Sequence, residues 1–244
     1  MSKITRKIEI IPDIEGLTHE ESNKKCYKFL YNINSKLYKV ANLLVCQLYG
    51  IENLLTLMKL QNKKYIEYQS QLSLKSISDE SKKKIKEEIN KINATLISRK
   101  NEIAPNPTQT FAYRAAKHSD YAKGLPSDIL NALKQDVFKH FNDTKRAQSN
   151  GERSLTTYKR GIPIPFPLKN KHVIVYEGDN YYLSWFEDTR FKLNFGRDRS
   201  NNRAIIDNCL KTDKYQLYTT AKIQLKEKKL FLLVTVEIPT TENT

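Results

Sequence analysis

The sequence predicts an α+β fold, in which a small antiparallel β-barrel carries an inserted helical region. Between about residues 15 and 150, apolar residues recur at spacings of three and four, which is typical of helices. After Asn150 and Gly151 the chain changes to short stretches rich in β-branched and aromatic residues, separated by turn signals. A short strand before the helices can join these later strands, which would make the helical part an insertion.

The N-terminal elements follow from local signals. Alternating isoleucines predict a strand from Lys3 to Ile11, which should stop at Pro12 and Asp13. Thr18 is followed three residues later by Glu21, the spacing of a capping box at a helix start. The apolar spacing after it predicts a helix that ends near Gly50.

The next part reads as further helices. Residues 51–103 are polar and periodic, so we expect two antiparallel helices joined by a serine-rich loop from Ser73 to Asp79. The sequence Ala-Pro-Asn-Pro at 104–107 should break the pattern, and Thr108 can cap a helix that runs to about Ala122. A last long helix should begin at 126–128, with an apolar stripe that includes Leu133 and Phe141.

The C-terminal third is expected to be mostly strands. One short helix, Asn202 to Leu210, interrupts them. In residues 162–168, prolines alternate with apolar residues, so the strand loses hydrogen-bond donors along one edge only. We therefore expect it to be an edge strand that pairs through its other side. The remaining predicted strands are 172–176, 181–185, 190–195, 215–225 and 230–238.

Charge points to a polyanionic partner. The chain has 42 Lys and Arg against 27 Asp and Glu, a net charge of +15. Residues 139–171 hold eight basic and two acidic residues, and residues 190–214 hold seven basic and three acidic ones. With 14 tyrosines, a basic and aromatic surface is typical of proteins that bind nucleic acid. A solvated basic surface without such a partner is the alternative.

Motifs for chemistry are sparse. The sequence contains no phosphate-binding loop or dinucleotide fingerprint, no paired cysteines and no zinc-protease motif, so we expect no cofactor and no metal. A metal-dependent nuclease that uses carboxylates of the strand-rich part stays open as an alternative. The three cysteines, the lack of a signal peptide and the expected lack of a membrane span suggest a cytoplasmic protein. The carboxylates considered for the nuclease are Asp179, Glu187, Asp188, Asp198 and Asp207.

Four stretches together resemble one family. They are RSLTTYKRGIPIPFPL, NNRAIIDNCLKTDKYQLYTTAKIQL, KKLFLLVTVEIP and TQTFAYRAAK. In their order along the chain, in which TQTFAYRAAK comes first, they resemble the N-terminal half of miniature type V (subtype V-F-like) CRISPR effectors and of the related transposon-encoded TnpB proteins, which are RNA-guided nucleases. The resemblance covers nearly the whole chain, but at 51–103 only the presence of a helical hairpin is matched.

The resemblance implies an OB-like wedge barrel, formed by residues 1–14 and 152–244, with a helical recognition domain at 15–151. It implies a module that binds guide RNA and probes the short motif beside the DNA target, while base pairing supplies most of the specificity. Gln109 and Tyr113 match the residues that take part in reading that motif, although Tyr113 is equally well interpreted as a core residue. The candidate nucleic-acid-binding residues are Gln109, Tyr113, Arg114, Lys117, Arg153, Tyr158, Lys159, Arg160, Arg197 and Arg199.

Members of this family continue into a RuvC-type nuclease, whereas this sequence stops soon after the last predicted strand. We therefore expect either half of a longer effector or a nuclease-less derivative, and in both cases binding by this chain without DNA cleavage by the family mechanism. The expected partners are guide RNA and target DNA. The alternative from another class is a protein-interaction scaffold that dimerises through the hairpin at 51–103.

Overall fold

A computed structural model describes residues 2–74, 76–104, 108–169, 172–185 and 189–239. These residues form an α+β fold with six α-helices and seven β-strands. A short 3-10 helix, Asp120–Ala122, lies between the fourth and fifth helices. The helices are α1 His19–Gln61, α2 Lys63–Ser73, α3 Asp79–Ile103, α4 Thr108–Lys117, α5 Ser127–Ser149 and α6 Asn202–Leu210.

The strands form one curled, fully antiparallel sheet in the order β2-β6-β7-β1-β5-β4-β3. The first strand lies in the middle, paired with both β7 and β5, as expected for a strand separated from its neighbours by inserted helices. The sheet has two ends among the described residues, β2 and β3, so it is a half-barrel. The strands are β1 Ser2–Asp13, β2 Ile164–Pro167, β3 Ile174–Glu177, β4 Asn180–Trp185, β5 Thr189–Asn194, β6 Gln216–Lys226 and β7 Lys229–Ile238.

The proline-rich strand occupies an edge of the sheet, as predicted. Pro165 lies opposite Lys222 and Pro167 opposite Thr220, and β2 pairs only with β6. Ile164 and Phe166, between the prolines, are completely buried. The missing N–H groups therefore lie on the side of the strand that has no neighbour in the described chain.

The predicted end of the first helix at Gly50 was wrong. Thr18 and Glu21 form the capping box, with Glu21 N–H donating to Thr18 Oγ1 at 3.3 Å, but α1 continues through Gly50 to Gln61. A glycine inside a helix costs only about 1 kcal/mol relative to alanine, which the packing of the helix on both sides can offset. The hairpin is thus made from the end of α1 with α2 on one side and α3 on the other.

The helices and the sheet share one core. Leu37 of α1, Ile129 of α5, Phe166 of β2 and Val234 of β7 all belong to a single cluster of buried side chains. The proline break at 105–107 lies outside the described residues. The positions of α1 and α5 against the sheet determine which faces of these helices are exposed to solvent.

The length of α1 bears on the expected lack of a membrane span. By length and composition alone, α1 is long and apolar enough to cross a membrane, which is weak evidence because the core helix of a soluble protein passes the same test. Its apolar side chains, including Leu30, Leu37 and Leu44, are buried inside the fold.

Candidate nucleic-acid interface

Between Ser22 and Ile51 the outer face of α1 is a basic surface without acidic residues. From Ser22 to Ile51 the helix contains five lysines and no Asp or Glu. The helical period places Lys24, Lys28 and Lys39 on the face opposite the buried leucines, and all three are exposed. Uncompensated cations on one ridge of a helix produce a positive potential along that ridge.

An extended segment lies antiparallel along this helix. The side-chain amide of Asn42 donates to Tyr158 O at 2.9 Å and its Oδ1 accepts from Tyr158 N–H at 2.7 Å. Eight residues earlier on α1, Asn34 Nδ2 donates to Ile162 O at 2.6 Å. The amide of Asn42 thus supplies the paired bonds that a neighbouring strand would give, so the segment is held without being part of the sheet.

In this arrangement the side chains of the Tyr-Lys-Arg triplet at 158–160 lie in different environments. Tyr158 turns inward, and burial raises the pKa of its hydroxyl to about 12. Lys159 and Arg160 are exposed. Tyr158 therefore anchors the segment, while its two basic neighbours remain available to a ligand.

Arg160 also lies against an aromatic residue of α1. Its guanidinium is 5.1 Å from the ring centroid of Tyr31 and donates a hydrogen bond to the Tyr31 hydroxyl. Tyr31 keeps 47% of its surface exposed and stacks on Tyr27, with ring centroids 6.4 Å apart. An arginine beside an exposed aromatic ring can contact a phosphate and a base together.

The opposite side of the α1 ridge is basic as well. Lys36 Nζ donates to Lys123 O at 3.0 Å, and Lys39 Nζ lies 5.4 Å from the ring centroid of Tyr121. Tyr121 is 47% exposed, so it is a second aromatic ring at the border. We call the ridge of α1 from Lys24 to Lys39, with residues 158–160 and 121–123 at its two sides, the α1 surface.

A second polar groove lies between α4 and α5. Tyr113 of α4 is half-buried, and Lys134 Nζ of α5 lies 4.5 Å from the centroid of its ring. Burial raises the pKa of Tyr113. The groove has a volume of about 490 Å³ and is also lined by Thr110, Gln135 and Asn142. Side-chain amides and hydroxyls beside an aromatic ring are the groups that proteins use to read base edges.

The structure separates the predicted site residues into three groups. Arg153, Tyr158, Lys159 and Arg160 belong to the extended chain that follows α5, and the last three border the α1 surface. On α4, Arg114 and Lys117 are exposed beside the groove of Tyr113, while the side chain of Gln109 lies outside the described residues.

Arg197 and Arg199 form the third group. Both are exposed in the connection between β5 and α6. Lys171, counted in the first basic cluster, lies outside the described residues. Arg197 and Arg199 therefore belong to a different chain segment from the residues that border the α1 surface.

Sequence reasoning missed the basic residues that the helices contribute, namely Lys28, Lys36 and Lys39 of α1 and Lys134 of α5. The signal that could have found the first three was the absence of acidic residues from Ser22 to Ile51. The second acid-free run, Arg153 to Lys169, holds four basic residues, and only the fold shows that the two runs lie side by side.

The carboxylates considered for a nuclease have other roles where the structure describes them. Asp198 accepts from the backbone N–H groups of Asn202 and Arg203 at 2.6 and 2.9 Å, which caps α6. Asp207 bonds to the hydroxyl of Tyr181 and pairs with Lys211 at 2.7 Å. Within the described ranges no three His, Cys, Asp or Glu side chains are grouped as metal ligands, and Glu187 and Asp188 lie outside those ranges.

No model of a known protein family matches the chain, and no curated protein matches its sequence. The functional conclusion therefore depends on the surfaces described above and on the resemblance of the sequence motifs.

Proposed function

We propose that this protein is an RNA-guided DNA-binding module, in which the α1 surface holds guide RNA and the α4–α5 groove probes DNA beside the target. One observation carries the proposal. Two acid-free chain segments, with nine basic residues between them, lie antiparallel and are fixed by the amides of Asn34 and Asn42. A surface built in this way matches the regular charge of a nucleic-acid backbone.

The aromatic residues favour RNA over a simple polyanion. Tyr31 and Tyr121 lie at the two sides of the lysine ridge and are each 47% exposed. Tyrosine rings can stack on unpaired bases, and such bases are the usual targets of sequence-specific RNA recognition. Phosphate contacts and stacking positions are thus combined on one side of the helical region.

The finer assignment of the fold is part of the same proposal. We assign the half-barrel to the OB-like wedge of the type V effectors and the helices of residues 15–151 to their recognition domain. The central position of β1 in the sheet and the proline-rich edge strand support this assignment. The four motifs given above lie on β2 and the segment before it, on α6 with β6, on β7 and on α4.

The proposal is tested by RNA binding. The protein purified from cells of its source should carry a structured RNA, and its affinity for that RNA should fall steeply with salt. Replacement of Lys159 and Arg160 by Ala should weaken binding at every salt concentration and reduce the salt slope by roughly one to two units. Filter binding between low and moderate salt measures both quantities.

The control variant removes the same charge elsewhere. Lys83→Ala with Lys86→Ala changes two exposed lysines of α3, which is not part of the α1 surface. This variant should keep the wild-type slope. An unchanged slope in the Lys159 and Arg160 variant, or the absence of any salt-sensitive RNA binding, would contradict the proposal.

A second candidate function is a dimerisation scaffold. Six of the thirteen exposed large apolar or tyrosine side chains among the described residues lie on the hairpin formed by the end of α1, α2 and α3. Exposed apolar side chains concentrated on one element favour a protein contact. They are Leu57, Leu60, Ile66, Leu74, Ile97 and Ile103.

A further inference from the structure

An apolar pocket lies where the beginning of α1 crosses the ends of β4 and β5. Phe29 and Leu30 of α1, Trp185 of β4 and Phe191 of β5 form its walls, and its volume is about 380 Å³. Small-molecule sites in proteins have volumes of roughly 300–1,000 Å³ and are mostly apolar with a few polar groups. The size and lining of the pocket therefore fit a small aromatic ligand.

The aromatic side chains of the pocket are buried on its inner side but exposed to solvent at its mouth. Trp185 is 2% exposed and Phe191 is fully buried, so the inner wall is rigid. Phe29 meets the Trp185 ring edge to face, with centroids 6.2 Å apart and an interplanar angle of 69°. Phe29 nevertheless keeps 45% of its surface exposed. An aromatic ring held at the mouth of a pocket offers a stacking position to another ring.

The charge around the pocket favours an anionic ligand. Lys25 lines the pocket one turn before Phe29, and Lys28 is the residue that precedes Phe29 on the helix. In the neighbouring cleft Asp13 accepts a hydrogen bond from Arg190 at 2.9 Å, and Glu15 also lines that cleft. Lys25, Phe29 and Lys36 follow one side of α1 over roughly 16 Å, so the pocket is continuous with the α1 surface.

We propose that this pocket binds one unstacked nucleobase, with Lys25 contacting the adjacent phosphate. The proposal rests on the proposed function, because the base would belong to an RNA strand whose backbone lies on the α1 surface. A base that leaves the stack needs an aromatic face and a nearby cation, and Phe29, Trp185 and Lys25 supply both.

The chain contains a single tryptophan, so the fluorescence of Trp185 reports on this pocket directly. The folded protein is titrated separately with adenosine, guanosine, cytidine and uridine 5′-monophosphates, and free N-acetyltryptophanamide corrects for light absorption. We expect at least one nucleotide to quench the emission saturably, at millimolar to tens of millimolar concentrations, because one stacked base contributes up to roughly 3 kcal/mol and the phosphate contact of Lys25 adds to it.

Two variants identify the binding groups. Phe29→Ala should abolish saturable quenching by nucleotide and nucleoside alike. Lys25→Ala leaves the aromatic walls intact and should weaken the nucleotide several-fold while the nucleoside binds as before. Lys83→Ala on α3 is the control and should bind like the wild type.

Absence of saturable quenching by all four nucleotides would overturn the proposal, and so would equal affinity in the Phe29→Ala variant. Quenching by an apolar amino-acid amide but not by nucleotides would assign the pocket to a protein side chain instead. Salt-sensitive RNA binding without nucleotide quenching would contradict the base pocket but agree with the RNA-binding function. Nucleotide quenching without RNA binding would support the pocket but contradict the RNA-binding function.

Discussion

At the scale of single residues, neighbouring side chains in one short segment have opposite roles. Tyr158 is anchored between Asn42 and the core, whereas Lys159 and Arg160 face solvent. An extended backbone turns successive side chains to opposite sides, which explains why the first two differ. Arg160 stays outside because it lies on the exposed ring of Tyr31 rather than inside the fold.

Tyr158 predicts a specific alkaline dependence of stability. Burial raises the pKa of its hydroxyl to about 12, so the folded chain keeps a proton that the unfolded chain loses above about pH 10. The contribution of Tyr158 is complete below pH 10 and declines as the pH approaches 12. Urea unfolding between pH 9 and about 12 should show a flatter decline for Tyr158→Phe than for the wild type.

The control is Tyr121→Phe at an exposed tyrosine, which should keep the wild-type pH dependence. If Tyr158→Phe and the wild type declined equally, the hydroxyl of Tyr158 would not be buried as the structure shows.

Tyr113 provides the second prediction at this scale. Under the proposed function, Tyr113→Ala should reduce discrimination between target-adjacent motifs roughly ten- to hundredfold, because a misread base pair costs about 1–3 kcal/mol. RNA affinity should change little. Competition among DNA duplexes that differ only beside the target, measured with the RNA-loaded protein, gives the discrimination.

Tyr113→Phe is the matched variant, since it keeps the ring under Lys134 and removes only the hydroxyl. If this variant loses discrimination, the hydroxyl contacts a base edge. If it keeps discrimination, the ring acts by stacking. Equal losses of RNA affinity and discrimination in Tyr113→Ala would instead make Tyr113 a packing residue.

At the scale of elements, the length of α1 is the main difference between expectation and structure. The apolar period ends near Gly50, but α1 continues for eleven residues to Gln61 and forms one arm of the hairpin. A helix end predicted from local sequence depends only on the glycine and the residues next to it along the chain. Contact with α3 stabilises the continuation of the helix, and this contact is not visible in the local sequence.

Gly50→Ala tests the continuous helix. Gly50 is exposed, and a Cβ added there meets no atom within 4 Å. Alanine inside the helix should therefore raise the free energy of unfolding by about 0.5–1 kcal/mol. Urea denaturation followed by circular dichroism measures this change.

The control is Gly16→Ala, where space is also open but φ is +76°. An alanine in that left-handed conformation should lower stability by about 1–2 kcal/mol. A loss of the same kind in Gly50→Ala would mean that α1 ends at Gly50, as its sequence alone suggests.

At the scale of the whole molecule, the hairpin carries exposed apolar side chains, while α1 and α5 contact the sheet. Only Ile89 and Leu96 of α3 are buried, and no described side chain of α2 is. If the scaffold function holds, sedimentation without RNA should show a dimer whose amount rises with protein concentration. Leu57→Ser with Leu60→Ser should shift it toward monomer.

Leu155→Ser serves as the control, since Leu155 is 63% exposed and lies outside the hairpin. A monomer at every concentration, in wild type and variants alike, would count against the scaffold. A dimer that forms without any RNA affinity at low salt would favour it over the RNA-binding module.

Signals that depend on neighbouring residues could be interpreted from the sequence alone. The capping box at Thr18, the loop before Asp79, the stripe of α5, the helix α6 and the strands after Ile174 depend on local periodicity and turn chemistry. The edge position of β2 could also be predicted from local sequence, because alternate prolines remove hydrogen-bond donors from one side of the strand whatever the rest of the chain does.

Only the tertiary structure decided which distant segments meet. The sequence contains two acid-free basic runs, of which the one in α1 was overlooked, and their antiparallel contact depends on Asn34 and Asn42, which lie 128 and 116 residues from their partners. The sequence predicted a barrel, whereas the described sheet is a half-barrel, because closure depends on curvature summed over seven strands rather than on any one of them. The sequence determined the local elements and the basic charge, while long-range packing determined the surfaces on which that charge is gathered.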